Sequence, residues 1–349
     1  MQLDALLLFL KVFSMDGLRS LSGSSDFPLH FEERGIESAA VYIAAETNGD
    51  FVSKRLLLKE FDLPNFFRDH SNPATRNHGL RLASVSVEGP GRIYANQLIF
   101  EDTLQVMGLD PWVEHLIRTL PYGFHYSEHN KDETVATYFL GTSFVWSVWS
   151  CRHDAKSRSF TTKCLILNPV GSRHHGDPDN SAGRRVDGLF KTLDVFKDGS
   201  HSALYLPFVF AVHSLKWREK SILAVLNIVR DAESRTGHGS WGSGHFEEKR
   251  DSIPRLTAEL GSAFNTVGNT TRHLNIIESI FDYLEELEAK MASAQLERIE
   301  GVRASSSSIL SAINILRRQC TSAREQCTYL ELRIRNQSSV VGAPKPLCS

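Results

Sequence analysis

Apolar residues recur near the end of the chain at steps that alternate strictly between three and four. Over residues 299–334, only Ser306 among these positions is polar. A seam held to a 3.5-residue period predicts a long helix that packs along a supercoiled partner or a slightly bent groove. The stretch would span about 54 Å at ~1.5 Å per residue, which predicts a stalk-like last helix. The seam positions are Ile299, Val302, Ser306, Ile309, Ile313, Leu316, Cys320, Ala323, Cys327, Leu330 and Ile334.

This seam has two interpretations. A heptad stripe can pack against other helices of its own chain, as in any amphipathic helix. It can also pack against copies of the chain, and the small residues Cys320, Ala323 and Ser306 favour close approach of two helices over the filling of a wide core. We therefore expect a homo-oligomer through the seam, with packing against upstream helices as the open alternative.

The remaining pattern is mixed in the first part of the chain and almost wholly helical in the second. Residues 80–87 alternate with the period of a strand, and 144–151 and 159–167 flank a polar turn as in a β-hairpin. Asp110 and Pro111 open a helix as its N-cap and first-turn proline. Strands are predicted at 39–45, 80–87, 122–128, 144–151 and 159–167, and helices at 1–13, 103–107, 112–119, 186–196, 203–232, 253–264, 274–294 and 299–334.

The order of these elements predicts an α+β protein. We expect a mixed α/β domain over residues 1–200. A helical region over 201–338 follows and contains the stalk-like helix 299–334. Residues 339–349, with Pro344 and Pro346, are expected to form a frayed tail.

Composition narrows the classes of partner. The 349 residues are 41% hydrophobic and 23% charged, with a formal net charge of −2, which argues against nucleic acid as the main partner. The segment from Gly301 onward holds seven basic and two acidic residues, a balance of +5 that fits a membrane surface. The longest uncharged run, 134–151, is rich in Ser and Thr and alternates like a strand, so no bilayer-spanning segment is expected.

The cysteines are odd in number and lack metal-ligand spacing, which predicts reduced thiols in a cytoplasmic compartment. They are Cys151, Cys164, Cys320, Cys327 and Cys348. If the predicted turn closes the hairpin, Cys151 faces about Phe160, and Cys151 and Cys164 lie out of disulfide reach.

Candidate chemistry is sparse. His174–Asp179 contains metal-ligand types, but adjacent histidines on a loop rarely aim at one ion. Gly237–His245 is rich in glycine but lacks the Lys and Ser/Thr of a phosphate loop. The acidic residues Glu285, Glu286 and Glu288 are typical of a solvent-facing helix side. We therefore predict no catalytic residue and no cofactor, and leave metal ligands unassigned.

One stretch resembles a known family. Residues 107–117 read Met-Gly-Leu-Asp-Pro-Trp-Val-Glu-His-Leu-Ile and are similar to the Gly-Leu-His-Pro-Leu-x-x-Glu-Asp signature in the cytosolic domain of CorA-type divalent-cation transporters. Asp110 and His115 depart from that signature. The order of elements over 80–338 also resembles the fungal CorA-like proteins. The positions that match the CorA signature are Gly108, Leu109, Pro111 and Glu114.

The resemblance implies an α/β/α cytosolic domain, a stalk helix that leads into the membrane, and a pentamer with two transmembrane helices and a Gly-Met-Asn motif. This sequence contains neither such helices nor that motif. We expect a non-enzymatic oligomerising or regulatory module related to divalent metal ion (Mg²⁺) transport, cytoplasmic or at the cytoplasmic face of a membrane. The alternatives are a soluble interaction protein that kept the fold without a transport role, and an enzyme whose site is assembled from distant residues.

Overall fold

The structure is a computed structural model that describes residues 28–33, 37–45, 51–68, 78–89, 91–131, 133–143, 145–154, 159–170, 182–200, 202–237, 253–293 and 300–342. Three predicted features therefore lie outside the described residues. They are the first helix (1–13), the loop with His174–Asp179, and the glycine-rich stretch beyond Gly237.

The chain divides into two compact units. The first comprises Met1–Val209 and Lys290–Ser307, and the second Phe210–Ala289 and Ser308–Ser349. The predicted boundary lies at residue 200, whereas the two units are divided at 209/210, 289/290 and 307/308, each of which falls within a long helix.

The first unit contains a nine-stranded sheet with parallel and antiparallel pairs, and the α+β class is confirmed. The main strand order is β1-β5-β4-β9-β8-β7-β6; β2 also pairs with β4, and β3 pairs with β2. Pairs β4–β9 and β1–β5 are parallel. The strands are β1 His30–Phe31, β2 Ser38–Ala45, β3 Phe51–Leu58, β4 His78–Val87, β5 Arg92–Tyr94, β6 Gly123–Lys131, β7 Glu133–Gly141, β8 Trp146–Asp154 and β9 Ser159–Pro169.

The described helices are α1 Leu63–Phe67, α2 Gln97–Met107, α3 Trp112–Thr119, α4 Ala182–Val195, α5 Tyr205–Thr236, α6 Ile253–Ser293 and α7 Glu300–Gly342. Short 3-10 helices occupy Glu60–Asp62 and Lys197–Gly199.

The predicted helices 253–264 and 274–294 are one continuous helix, so the predicted break is wrong. Val267 and Thr270 are buried within it, and their packing overrides the low helix propensity of the intervening Gly268 and Asn269. The last helix runs to Gly342, beyond the predicted start of the tail at 339.

The predicted hairpin is confirmed as β8–β9, with a register two residues from the expected one. Cys151 is paired with Thr162, not Phe160. Cys151 and Cys164 are both free thiols. Helix α2 begins at Gln97, earlier than predicted, because the Asn96 side chain accepts a hydrogen bond from the backbone N–H of Ile99 (3.3 Å) and caps the helix.

The two faces of the sheet carry separate apolar layers. One face packs against α2 and α3, where Val148, Leu165 and Trp112 belong to one buried cluster that Trp146 borders. On the opposite face Trp149 stacks on Tyr138, with ring centroids 4.9 Å apart. Trp146 and Trp149, three apart in β8, therefore face opposite sides of the sheet, as their spacing predicts.

Candidate functional site

The connection between α2 and α3 carries the motif that resembles the CorA signature. Gly108 has a left-handed backbone (φ 68°) and ends α2, a conformation that glycine adopts without strain. Asp110 is buried, and its carboxylate accepts a hydrogen bond from the backbone N–H of Trp112 (3.4 Å). Helix α3 begins at Trp112 with Pro111 at the N-cap, so the prediction of Asp110 as the N-cap is wrong by one residue, although its carboxylate still bonds the first turn.

The same connection is hydrogen-bonded to three strands of the sheet. Trp112 Nε1 donates to Ser127 Oγ on β6 (2.9 Å), and the backbone N–H of Asp110 donates to Thr137 Oγ1 on β7 (3.2 Å). Ser150 Oγ on β8 donates to the carbonyl of Met107 (2.5 Å). These polar groups anchor the two helices to the sheet, and their geometry indicates a structural role for the motif.

The second unit is a bundle of three long helices whose ion pairs define their directions. Arg317 on α7 bonds Asp282 (2.7 Å) and Glu285 (3.0 Å) on α6, and Arg324 bonds Glu278 (2.8 Å). Rising numbers on α7 thus meet falling numbers on α6, so these two helices are antiparallel.

Helix α5 runs parallel to α7. Arg333 Nε donates to Glu233 (2.8 Å), and Thr236 Oγ1 donates to Gln337 Oε1 (2.8 Å), so both contacts join positions about one hundred residues apart. The Glu233–Arg333 pair is largely buried, with side chains 10% and 14% exposed.

All three helices bury residues at steps of four and three. This is the spacing of a coiled coil, and here it is completed within a single chain. The buried series are Ala211, Leu215, Arg218, Ile222, Val225, Val229 and Ala232 on α5; Leu256, Leu260, Ala263, Val267, Thr270, Leu274, Ile277, Phe281 and Leu284 on α6; and Ile309, Ile313, Cys320, Ala323, Cys327, Leu330, Ile334 and Gln337 on α7, with Leu316 half-buried.

The seam predicted for the last helix is therefore covered from Ile309 to Ile334. Of its two interpretations, packing against upstream helices of the same chain is the one seen in the structure. Ile299 and the side chains of Val302 and Ser306 lie outside the described part. A homo-oligomer stays a prediction, and the covered seam residues are not its free surface.

Polar residues interrupt the core of this bundle. Arg218, Thr270 and His273 are each no more than 2% exposed. Burial, aided by the charge of Arg218, lowers the pKa of His273 to about 4, and Nδ1 of this ring lies 2.5 Å from the carbonyl of Asn269.

The thiols of the bundle lie in the same core. Burial raises the pKa of Cys320 to about 12 and also raises the pKa of Cys327. Burial thus favours the neutral thiol over the thiolate at both positions. The two thiols therefore pack as small apolar groups in the core of the bundle.

The acidic and basic candidate residues of α6 and α7 lie mostly at the surface. Glu285 bonds Arg317, and Glu285 and Glu286 are exposed, as expected for a solvent-facing side of α6, whereas Glu288 is half-buried. Within the described ranges, no three His, Cys, Asp or Glu side chains are grouped so that they could hold a metal ion. Four arginines of the basic C-terminal segment are ion-paired, namely Arg317, Arg324, Arg333 and Arg335.

No protein-family model matches this chain, and no curated protein matches it. Among the helices that the structure describes, none is long and apolar enough to cross a membrane. The resemblance to CorA-type cytosolic domains therefore rests on the motif and on the order of the elements.

Proposed function

We propose that this chain is a non-enzymatic assembly or regulatory module, similar to the cytosolic domain of CorA-type divalent-cation transporters. The observation that carries the proposal is the order of elements around the motif. Two short helices joined by Gly108–Pro111 lie on one face of a mixed sheet, and three long helices follow, of which the last has 43 residues. This order agrees with what the resemblance implies.

The absence of catalysis in this proposal is argued from the polar residues that sequence and structure bring forward. Asp110 and Trp112 of the motif are used in hydrogen bonds that hold helices to the sheet. His273 and Cys320 have pKa values that favour their neutral forms near neutral pH. A module of this kind works through its surfaces, in a cytoplasmic location that suits buried free thiols.

Assembly with copies of itself is part of the proposal, and the last helix offers a face for it. Ile315, Tyr329 and Leu332 are 63%, 58% and 58% exposed, and they lie on the side of α7 opposite the covered seam. Large apolar side chains on one outward helix face can pack against the same face of a second copy. We assign the self-assembly contact to this face instead of the seam.

Sedimentation velocity of the full chain tests this assignment. We expect the unmodified protein to sediment as an oligomer, and the combined variant Ile315→Ser, Tyr329→Ser and Leu332→Ser to sediment as a single chain. Leu223→Ser, at a 56% exposed leucine on α5, is the matched control and should leave the oligomer intact. An oligomer that survives the combined variant would place the contact elsewhere.

A second candidate is a monomeric interaction or regulatory protein that shares the fold and has no transport role. The closed core of the three-helix bundle favours it. Ile313, Cys327 and Ile334 are buried within a single chain, so they do not need a second copy to cover them. If the unmodified chain sediments as a single chain at every concentration tested, this candidate replaces the first.

A further inference from the structure

Strand β3 forms one margin of the sheet. It pairs along its whole length with β2, from Phe51↔Ala45 to Leu58↔Ser38, and has no second partner strand among the described residues. The outer margin of such a strand carries backbone N–H and C=O groups that can pair with another extended segment.

The side chains of this margin combine positive charge with exposed apolar surface. Lys54 and Arg55 are exposed, and they are followed by Leu56 and Leu57, which are 41% and 71% exposed. No carboxylate of the described residues forms an ion pair with either cation; Arg55 instead lies 6.0 Å from the ring centroid of Phe190. Because side chains alternate across a strand, each face of β3 presents one cation and, two residues later, one leucine.

A second copy of the chain is a poor match for this margin. In the fully overlapping antiparallel pairing of two β3 strands, Lys54 of one copy lies opposite Arg55 of the other. Like charges directly opposite each other destabilise a strand pair. An extended peptide with carboxylates opposite the two cations and apolar residues opposite Leu56 and Leu57 has none of this repulsion.

We propose that β3 is a docking strand for an extended, acidic and apolar segment of a partner protein, which adds to the sheet as a further strand. Main-chain hydrogen bonds supply the pairing, and Lys54 and Arg55 select acidic side chains over basic ones. The proposal is independent of self-assembly through α7.

Fluorescence anisotropy with the full chain and the labelled peptide Thr-Val-Val-Glu-Glu-Thr-Val-Thr tests the proposal. We expect saturable binding that weakens by about tenfold or more in the variant Lys54→Glu and Arg55→Glu, since two ion pairs are replaced by repulsions. A variant with the same change of net charge in the other unit, Lys216→Glu and Arg318→Glu, should bind like the unmodified chain. All four of these side chains are exposed.

Two control peptides separate strand pairing from general charge attraction. A peptide with lysines in place of the glutamates should not bind, and a peptide whose alternate backbone nitrogens are methylated should lose binding although its charge is unchanged. Equal binding of the methylated peptide, or no binding of the first peptide, would overturn the proposal. So would a chain that dimerises and returns to single-chain mass in the Lys54→Glu and Arg55→Glu variant, because the occupant would then be a second copy.

Discussion

Ile313 and Ile315 provide a matched pair of positions on the last helix. They lie two residues apart, yet Ile313 is 0% exposed and Ile315 is 63% exposed. Replacing each by alanine makes the same chemical change in the same helix, once in the core and once on the surface. The difference between the two variants therefore measures the burial of the seam.

The magnitude follows from what surrounds Ile313. Ile→Ala removes three carbon atoms, at about 0.8 kcal/mol for each buried one. Ile313 is fully buried, so its truncation also leaves a cavity in the helix bundle. A cavity contribution therefore adds, and we expect a total loss of about 2–5 kcal/mol in the free energy of unfolding. Ile315→Ala should change it by no more than about 0.5 kcal/mol when the chain is dilute enough to be dissociated, so that the assembly contact does not contribute.

Urea unfolding followed by far-UV circular dichroism measures both free energies. Equal effects of the two substitutions would refute the closed bundle, as would a loss below about 0.5 kcal/mol for Ile313→Ala. A larger loss at Ile315 than at Ile313 would mean that the assembly face, and not the seam, supplies most of the stability of this helix.

Three further predictions concern charge and thiols. Burial lowers the pKa of both His213 and His273 to about 4, so below about pH 6.5 the unfolded chain binds more protons than the folded chain. Each histidine should therefore lower the free energy of unfolding by about 1–2 kcal/mol when the pH falls from 7 to 5. Urea titrations that give equal stability at the two pH values would contradict this. Glu233→Gln leaves Arg333 buried without its counter-charge and should cost about 3 kcal/mol, whereas Glu331→Gln, in an exposed pair, should cost less than about 0.5 kcal/mol; similar losses in urea would contradict the burial of the first pair. Four thiols should resist iodoacetamide in the native chain and react with it in urea, as read by mass spectrometry: Cys151, Cys164, Cys320 and Cys327. Labelling of the native chain at any of the four would contradict their burial.

The seam of the last helix could be read from the sequence because its apolar steps are uninterrupted. The equivalent series on α5 and α6 was harder to recognise. Arg218 stands at a core position of α5, and Gly268 and Asn269 suggest a break in α6 next to the core residue Thr270. In both helices tertiary packing accommodates residues that local propensity disfavours, so the partners of the seam emerge only from the structure.

The sheet shows the same division between local and long-range information. The β8–β9 hairpin was predictable, because its strands are neighbours joined by a polar turn. The parallel pairing of β4 with β9 joins Leu82 to Cys164, and no local pattern specifies a partner so distant in sequence. The motif near Asp110 was visible as a helix start, but its anchoring to Ser127 and Thr137 depends on that sheet order.

The molar mass of the unmodified chain in solution tests the central claim of assembly most directly. It can be measured by light scattering during size-exclusion chromatography over a wide range of loading concentrations. We expect a molar mass that is a multiple of the 39.2 kDa chain mass and that falls towards 39.2 kDa as the oligomer dissociates on dilution. A mass of one chain at every concentration would contradict self-assembly through Ile315, Tyr329 and Leu332.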